Sequence, residues 1–191
     1  MNGAMTDRID VSVELACEAD LPGILALANW AVNTAANFAT APESLEEWTR
    51  TWRATNATYP WLVARQDGKL LGFAKGSPHR ARGAYKWMAE VSVYVDVAAH
   101  GKRVGSQLYR RLVPTMRAQG YVTLLAGIAL PNPASERLHS ALGFARCGTF
   151  HRAGFKLGAW HDVGYWEMFL GGDGPPGEIR AVADVWPPAL P

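Results

Sequence analysis

The chain has 191 residues, the size of one ordinary domain, and 49% of them are hydrophobic, which is enough for a sizeable core. The formal net charge is only +2, so the composition gives no reason to expect a nucleic-acid or anionic-membrane partner. Two cysteines, Cys17 and Cys147, cannot make a disulfide framework and favour a reduced, cytoplasmic protein. We expect neither a secretory signal in residues 1–10 nor a membrane span, because no run approaches the roughly 20 apolar residues that a span needs.

Cap and turn signals divide the first half of the chain into short elements. Asp20 before Leu21-Pro22 and Ser44 three residues before Glu47 are typical of helix starts. Asp67-Gly68 is typical of a two-residue hairpin turn. With the hydrophobic spacing, these signals predict a strand over 9–15, a helix from Leu21, a helix over 45–54, and strands over 61–65, 69–76 and 89–95.

The second half of the chain continues the alternation. Gly120 and Gly143 are typical of helix ends, and Pro133 of a helix start. Pro114 lies inside a predicted helix, where it should kink the helix or cost about 3 kcal/mol. The predicted elements are a helix over 105–119, a strand over 121–130, a helix over 133–142, and strands over 144–150 and 160–170.

The order β-α-α-β-β-β-α-β-α-β-β predicts an α/β (α+β) fold, with a mixed central sheet of about seven strands flanked by about four helices. The strand over 89–95, the helix after it and the strand over 121–130 form a β-α-β unit that should cross over right-handed. We expect one domain over residues 9–170. The Gly- and Pro-rich segment 171–191 is predicted to be an extended tail without a core of its own.

Three features carry candidate chemistry. Side-chain alternation in the strand over 89–95 places Glu90, Ser92 and Tyr94 on one face, which either meets water or lines a cleft. Residues 100–106 bring two glycines and two cations to a helix start, a pattern that suits a pyrophosphate. Asn132 precedes the next helix, and His139 lies within it, where a lone histidine is more often structural than catalytic.

Two other kinds of site are not expected. His139, His151 and His161 have no zinc-ligand spacing with the cysteines, so we predict no metal. No Gly-x-Ser-x-Gly elbow is present, which argues against a serine hydrolase.

Taken together, these stretches resemble the GNAT superfamily of acetyl-CoA-dependent N-acetyltransferases, and most closely its phosphinothricin N-acetyltransferases. The resemblance covers nearly all of residues 11–170. The segments that carry it are 37–40, 59–64, 90–95, 105–109, 130–132, 138–144 and, most specifically, 154–164.

The resemblance implies direct transfer of acetyl from CoA to the primary amine of a small, amino-acid-like acceptor, with Glu90 as general base. His139 matches a position near the CoA sulfur, where it would protonate the leaving thiolate or help to deprotonate the amine. Acetyl-CoA is expected to contact the backbone of one strand, a loop and an asparagine, namely Val93, Tyr94, Val95, His100, Gly101, Lys102, Arg103, Val104, Gly105, Ser106 and Asn132. The residues that match the family's acceptor site are Phe38, Arg80, Arg82, Tyr85, Ser92 and Tyr94.

Arg80 and Arg82 suit an acceptor that bears carboxylate and phosphinate groups, because guanidinium binds such oxyanions bidentately. Without the resemblance, both would be interpreted as solvated loop charges. Family members commonly form homodimers, and we expect one here, with residues 155–160 reaching towards a neighbour's pocket. Neither nucleic acid nor a membrane is an expected partner.

Three departures from the family pattern bear on activity. Residue 103 is Arg where the pyrophosphate loop has Gly, and residue 100 is His where Gln or Arg is usual. The Arg103 side chain either crowds the phosphate site, or Gly101 supplies the flexibility and Arg103 an added charge. Ala129 replaces a Gly on the acceptor side, and Pro114 has no functional explanation. The competing hypothesis is therefore a non-catalytic GNAT-fold protein that binds a small ligand and has an impaired loop.

Overall fold

A seven-stranded mixed sheet, with strand order β1-β2-β3-β4-β5-β7-β6, organises the computed structural model, which describes residues 8–172 and 174–189. The strands are β1 (Ser12–Leu15), β2 (Trp61–Gln66), β3 (Lys69–Pro78), β4 (Met88–Val95), β5 (Thr123–Ala129), β6 (Ala145–Lys156) and β7 (Ala159–Phe169). The helices are α1 (Leu21–Val32), α2 (Leu45–Thr55), α3 (Val104–Gln119) and α4 (Pro133–Ala141). The predicted fold class and the order of its eleven elements are confirmed.

Helices cover both faces of the sheet and bury two hydrophobic clusters. On one face, α3 packs its apolar side against the sheet, with Leu108, Leu112 and Met116 completely buried. On the other face, α1 and α2 enclose a smaller cluster in which Trp48 meets Trp61 and Phe73 edge to face. The sheet is therefore the middle layer of three, and each face of a central strand meets a different helix layer.

The predicted capping box of α2 is present. Ser44 Oγ accepts a hydrogen bond from the Glu47 backbone N–H at 3.2 Å, and the Glu47 carboxylate accepts one from the Ser44 N–H at 3.3 Å. The two bonds satisfy backbone donors that the first helical turn leaves without partners. The helix consequently begins at Leu45, as its sequence predicts.

Strand β6 extends well beyond its predicted bounds, whereas helix α3 ends at its predicted residue. Strand β6 runs to Lys156 instead of residue 150, because a bulge between Phe150 and Gly154 lets the strand resume pairing with β7. Helix α3 continues through Pro114 to Gln119, so the proline does not end it. Proline donates no backbone hydrogen bond, and at this position the helix runs on without that bond.

Residues after Gly171 pack onto the domain instead of forming a core of their own. The Gln119 side chain at the end of α3 donates to the Arg180 carbonyl at 2.9 Å, and the Val182 N–H donates to the Ala57 carbonyl at 2.8 Å. Val182 is almost completely buried. The division into a domain and a tail at Gly171 stays a prediction.

Strands β3 and β4 approach too closely at Gly72 for any side chain. A Cβ atom at Gly72 would lie 2.8 Å from the Tyr94 carbonyl oxygen, well inside van der Waals contact. We expect Gly72→Ala to lower the free energy of unfolding by about 1–3 kcal/mol, because the backbone of β4 must move. The measurement is urea denaturation followed by circular dichroism.

The matched control is Gly148→Ala in β6, where an added Cβ meets nothing within 4 Å. That variant should unfold within about 1 kcal/mol of the parent. Equal stability of the two variants would contradict the close approach at Gly72.

Candidate active site

The parallel strands β4 and β5 pair over only three residues and then separate. Met88–Glu90 pair with Thr123–Leu125, after which β4 follows β3 as far as Val95 and β5 follows β7 as far as Ala129. The opening between them, here called the β4–β5 wedge, faces the carboxyl ends of both strands. Crevices at this place are where open α/β sheets bind ligands. Backbone groups on the open edge of β4 can therefore bind a ligand, and the edge includes the predicted residues Val93, Tyr94 and Val95.

Glu90 lies at the apex of the wedge, in the last paired position of β4. Its carboxylate Oε1 is 2.8 Å from His79 Nδ1. The side chain of Glu90 is 45% exposed, whereas that of His79 is only 14% exposed. Solvent thus reaches the carboxylate while its histidine partner is largely shielded.

Two of the predicted acceptor residues join this pair. Arg80 Nε donates to His79 Nε2 at 3.3 Å, and the guanidinium lies 5.6 Å from the centre of the Tyr85 ring. Tyr85 also packs edge to face against His79, with ring centres 5.5 Å apart. Arg82 is exposed on the same loop, just before the short turn over residues 83–85. The loop after β3 therefore brings a cationic and aromatic group to the Glu90 carboxylate.

The other predicted acceptor residues lie further along the same face of β4. Tyr94 stacks on Phe73 at 5.0 Å, and its hydroxyl interacts with Asn37. Burial raises the pKa of Tyr94, so the phenol stays neutral. Ser92 lies between Tyr94 and Glu90 in the alternation, half-buried.

Phe38 packs against the β6–β7 hairpin. A Cβ atom at Gly154 would lie 2.6 Å from the Phe38 ring, so the ring covers Gly154 directly. Lys156 Nζ donates to the Asn37 carbonyl at 2.8 Å and anchors the neighbouring backbone. The side of the site that carries Phe38 thus depends on a segment nearly 120 residues away in the sequence.

His139 is buried, with both ring nitrogens engaged. Nδ1 donates to the Ser135 carbonyl at 2.8 Å, so Nε2 of the neutral ring accepts from the Tyr109 hydroxyl at 3.1 Å. The ring packs edge to face on Tyr109 and Phe144. Burial lowers the pKa of His139, which favours the neutral form. Among the described residues, no hydrogen bond or ring contact links His139 to Glu90, and its predicted catalytic role stays a prediction.

In the loop before α3, Arg103 has a left-handed backbone conformation, which is energetically costly for a residue other than glycine. Arg103 has φ 63° and ψ 19°, in the left-handed region that glycine favours, and Gly101 has φ 77°. Arg103 therefore keeps a conformation suited to the family's glycine, at a cost of about 1–2 kcal/mol. His100 Nε2 donates to the Val95 carbonyl at 3.0 Å and fixes the loop to the end of β4.

The first turn of α3 provides the free backbone donors that an anion needs. Val104, Gly105 and Ser106 open the helix, and their N–H groups precede the first intrahelical bond, which Gln107 donates to the Arg103 carbonyl. A Cβ atom at Gly105 would lie 3.1 Å from the Leu138 side chain, so the helix start packs tightly against α4. Lys102 adds a cation to this helix start. At the start of α4, which follows β5, Asn132 caps the helix by accepting a hydrogen bond from the Ser135 N–H at 3.1 Å.

Comparison with known proteins agrees with this geometry. The acetyltransferase (GNAT) domain model matches residues 13–164. The chain belongs to the GNAT acetyltransferase family. The predicted family is thus confirmed, and so is the prediction of an enzyme of the N-acetyltransferase class.

Several relatives of this GNAT acetyltransferase are similar over almost their whole length. Phosphinothricin N-acetyltransferase of Streptomyces viridochromogenes is 38% identical over 94% of this chain and 98% of its own. L-Methionine sulfoximine/L-methionine sulfone acetyltransferase of Pseudomonas aeruginosa is 38% identical over 85% of this chain and 96% of its own. The crystal structure of a phosphinothricin acetyltransferase from Sinorhizobium meliloti with acetyl-CoA superposes with a TM-score of 0.84, at 33% identity, covering 95% of this chain and 98% of the other.

Two side chains near Glu90 escaped the sequence interpretation. His79 has no role predicted from the sequence, although the register pairs Ser77 with Glu90, and the period of two puts residue 79 on that same face. Tyr165 of β7 interacts electrostatically with Glu90 and Arg80, and burial raises its pKa. Its approach depends on β7 lying beside β5, which pairing alone reveals.

In the part of the chain that the structure describes, no cluster of three or more His, Cys, Asp or Glu side chains could hold a metal ion. The same residues include no helix of the length and apolar character that a membrane crossing requires. The absence of a metal and a cytoplasmic location stay predictions.

The left-handed conformation of Arg103 has a measurable energetic consequence. Replacing Arg103 with Gly removes the strain, whereas replacing it with Ala keeps it, so we expect Arg103→Gly to unfold with a free energy about 1 kcal/mol higher than Arg103→Ala. Urea denaturation of the two variants measures this difference. Two equally stable variants would show that residue 103 does not adopt this conformation.

Proposed function

We propose that this GNAT acetyltransferase transfers acetyl from acetyl-CoA to the primary amine of a small, amino-acid-like acceptor such as phosphinothricin, methionine sulfoximine or methionine sulfone. The observation that carries the proposal is the half-exposed Glu90 carboxylate at the apex of the β4–β5 wedge, beside Arg80 and Tyr85. Relatives named for these three acceptors are 38% identical to the chain, which supports the choice of substrate class.

The wedge and the adjoining helix start fit acetyl-CoA. The open edge of β4 at Val93–Val95 offers backbone N–H and C=O groups to an extended amide-containing arm. The first turn of α3 offers free N–H groups and a positive dipole end to a pyrophosphate, and Lys102 and Arg103 add charge. When bound, acetyl-CoA supplies the activated acetyl thioester.

Glu90 acts as the general base in this proposal. An aliphatic amine is largely protonated at neutral pH, and only its free lone pair can attack a carbonyl. Because Glu90 is 45% exposed, its carboxylate can take the ammonium proton directly or through one water molecule. Its contact with His79 through Oε1 leaves Oε2 to accept that proton.

His139 has a more restricted part in the same scheme. Held neutral between Ser135 and Tyr109, the ring has its only N–H committed to a carbonyl oxygen. Protonation of a leaving thiolate by His139 therefore requires one of these two bonds to break. Proton delivery by His139 remains part of the proposal on the strength of the family match.

The acceptor's oxyanions are assigned to the loop after β3. Arg80 and Arg82 supply guanidinium groups for a carboxylate and a phosphinate or sulfoximine oxygen. Phe38, Tyr85, Ser92 and Tyr94 complete the predicted site. The competing hypothesis of an impaired, non-catalytic protein is motivated by the substitutions at residues 100 and 103, and the left-handed backbone conformation of Arg103 argues against it.

The proposal is tested by binding and turnover in the same protein. We expect acetyl-CoA to bind with a micromolar dissociation constant, about −8 kcal/mol by calorimetry, and thiol release to follow on adding phosphinothricin or methionine sulfoximine. Glu90→Gln should lower turnover about 100-fold or more at neutral pH and leave acetyl-CoA affinity within a few-fold.

Glu46→Gln on the outer side of α2 is the matched control, since Glu46 is 87% exposed and pairs with Arg50 on the same helix. It should retain full turnover. Unchanged turnover in Glu90→Gln would remove Glu90 from the mechanism. Absence of acetyl-CoA binding would instead favour a protein with a different ligand.

We also propose a homodimer. Phe155, Leu157 and Trp160 are each more than half exposed at the tip of the β6–β7 hairpin, and contiguous apolar groups of this kind mark interfaces. Leu157→Asp should shift the protein towards monomer in sedimentation velocity, because Asp tolerates the positive φ at this position but carries charge into the interface. Leu45→Asp, at an exposed leucine on α2, is the control. A wild-type protein that sediments as a monomer contradicts the proposal.

A further inference from the structure

His79 links a predicted acceptor-binding arginine to the carboxylate at the apex of the wedge. We propose that His79 is a positioning residue, which fixes the Glu90 carboxylate in the orientation that accepts the acceptor's ammonium proton. The proposal rests on the function proposed above. It is carried by the bond between His79 and Glu90 and by the groups that hold the imidazole in place.

The bonding pattern determines which nitrogen of His79 carries the proton. Arginine can only donate, so the bond from Arg80 Nε requires a lone pair on His79 Nε2. The imidazole is then the neutral tautomer with its proton on Nδ1, and this N–H donates to Glu90 Oε1 at 2.8 Å. The 3.3 Å contact from Arg80 is the longer of the two and selects the tautomer, while the shorter one holds the carboxylate.

Three features restrain the ring itself. Pro78, which precedes His79, is the last residue of β3 to pair with β4, opposite Ala89, so the backbone is fixed immediately before the imidazole. Tyr85 packs edge to face on the ring, with centres 5.5 Å apart. With its side chain only 14% exposed, His79 faces little competition from water for the Glu90 bond.

A restrained donor matters because Glu90 is long and half-exposed. Without a partner the carboxylate would sample several rotamers, only some of which face an amine in the wedge. In the proton step, the acceptor's N–H bond breaks, its electron pair stays on nitrogen, and the proton goes to Glu90 Oε2. His79 keeps its own proton throughout and holds Oε1.

Two other groups near this pair offer a different explanation. Tyr165 of β7 and Arg80 both interact electrostatically with the site, and His79 could serve chiefly to hold Arg80 for the acceptor's oxyanion. If His79 mainly holds Arg80, replacing His79 raises the KM of the acceptor. If His79 mainly holds Glu90, replacing it lowers kcat. Measuring kcat and the KM of the acceptor in the same variant therefore distinguishes the two roles.

The experiment compares His79→Phe with His79→Asn in the purified full chain. Phe keeps an aromatic ring against Tyr85 but has no donor, whereas the Asn amide places an N–H close to the Nδ1 position. We expect His79→Phe to lower kcat about 10- to 100-fold, with the KM for acetyl-CoA unchanged, and His79→Asn to stay within a few-fold of the parent. In a Glu90→Gln background, His79→Phe should have no further effect on kcat, since the carboxylate it positions is gone.

His151→Phe is the control, because His151 makes a similar bond to a carboxylate, 2.7 Å to Asp162, and its side chain is 78% exposed. Its kcat should equal that of the parent. If His79→Phe does not fold, His79→Gln replaces it in the experiment. The Gln amide reaches the Nε2 position instead of the Nδ1 position, so we expect His79→Gln to have a low kcat where His79→Asn is active.

Several outcomes would overturn the proposal. One is a normal kcat in His79→Phe while Glu90→Gln is slow, which leaves the proposed function intact. A second is a His79→Phe variant in which only the KM of the acceptor changes. A third is a His79→Phe substitution that lowers kcat by the same factor in the parent and in the Glu90→Gln background. Normal turnover in Glu90→Gln alone would contradict the function proposed for Glu90, and the role of His79 with it.

Discussion

The parting of β4 from β5 after three residue pairs is the constraint on which the site depends. A parallel pair that continued to Val95 would use the backbone groups that now face the wedge. Beyond these pairs each strand continues to pair on its outer edge, β4 with β3 and β5 with β7. The start of α3 then lies next to the end of β4, with Gly105 packed near Val93 and Val95. The separation of β4 from β5 therefore brings a half-exposed carboxylate, an open strand edge and a helix N-terminus together.

Local signals in the sequence predicted the elements well, because each rests on neighbouring residues. The box of Ser44 and Glu47 and the hairpin at Asp67-Gly68 need nothing beyond a few positions of chain. The alternation in β4 likewise separated Glu90 from the valines that pack on α3. What it could not tell was whether the polar face meets water, since that depends on the loop after β3 folding back over Glu90.

Features that depend on contacts between distant parts of the chain could not be predicted from the sequence. The extension of β6 to Lys156 follows from a bulge opposite β7, and the covering of Gly154 by Phe38 joins parts of the chain far apart in sequence. The sequence left two alternatives for Arg103. The structure shows that Arg103 adopts a left-handed backbone conformation, at an energetic cost that a glycine would avoid. His79 was missed because a histidine in a basic loop carries no local sign of its partner.

The packing of the C-terminal segment bears on how this chain folds as it is made. Trp87, which immediately precedes β4, donates to the Gly177 carbonyl at 2.6 Å, and Lys86 pairs with Glu178. Because synthesis runs from the N-terminus, any pairing of β4 with β5 that forms before residues 177 and 178 have been made lacks these two bonds. Strand β7 is made after β6 and lies between β5 and β6, so the edge of β5 that pairs with β7 stays open until β7 has been made.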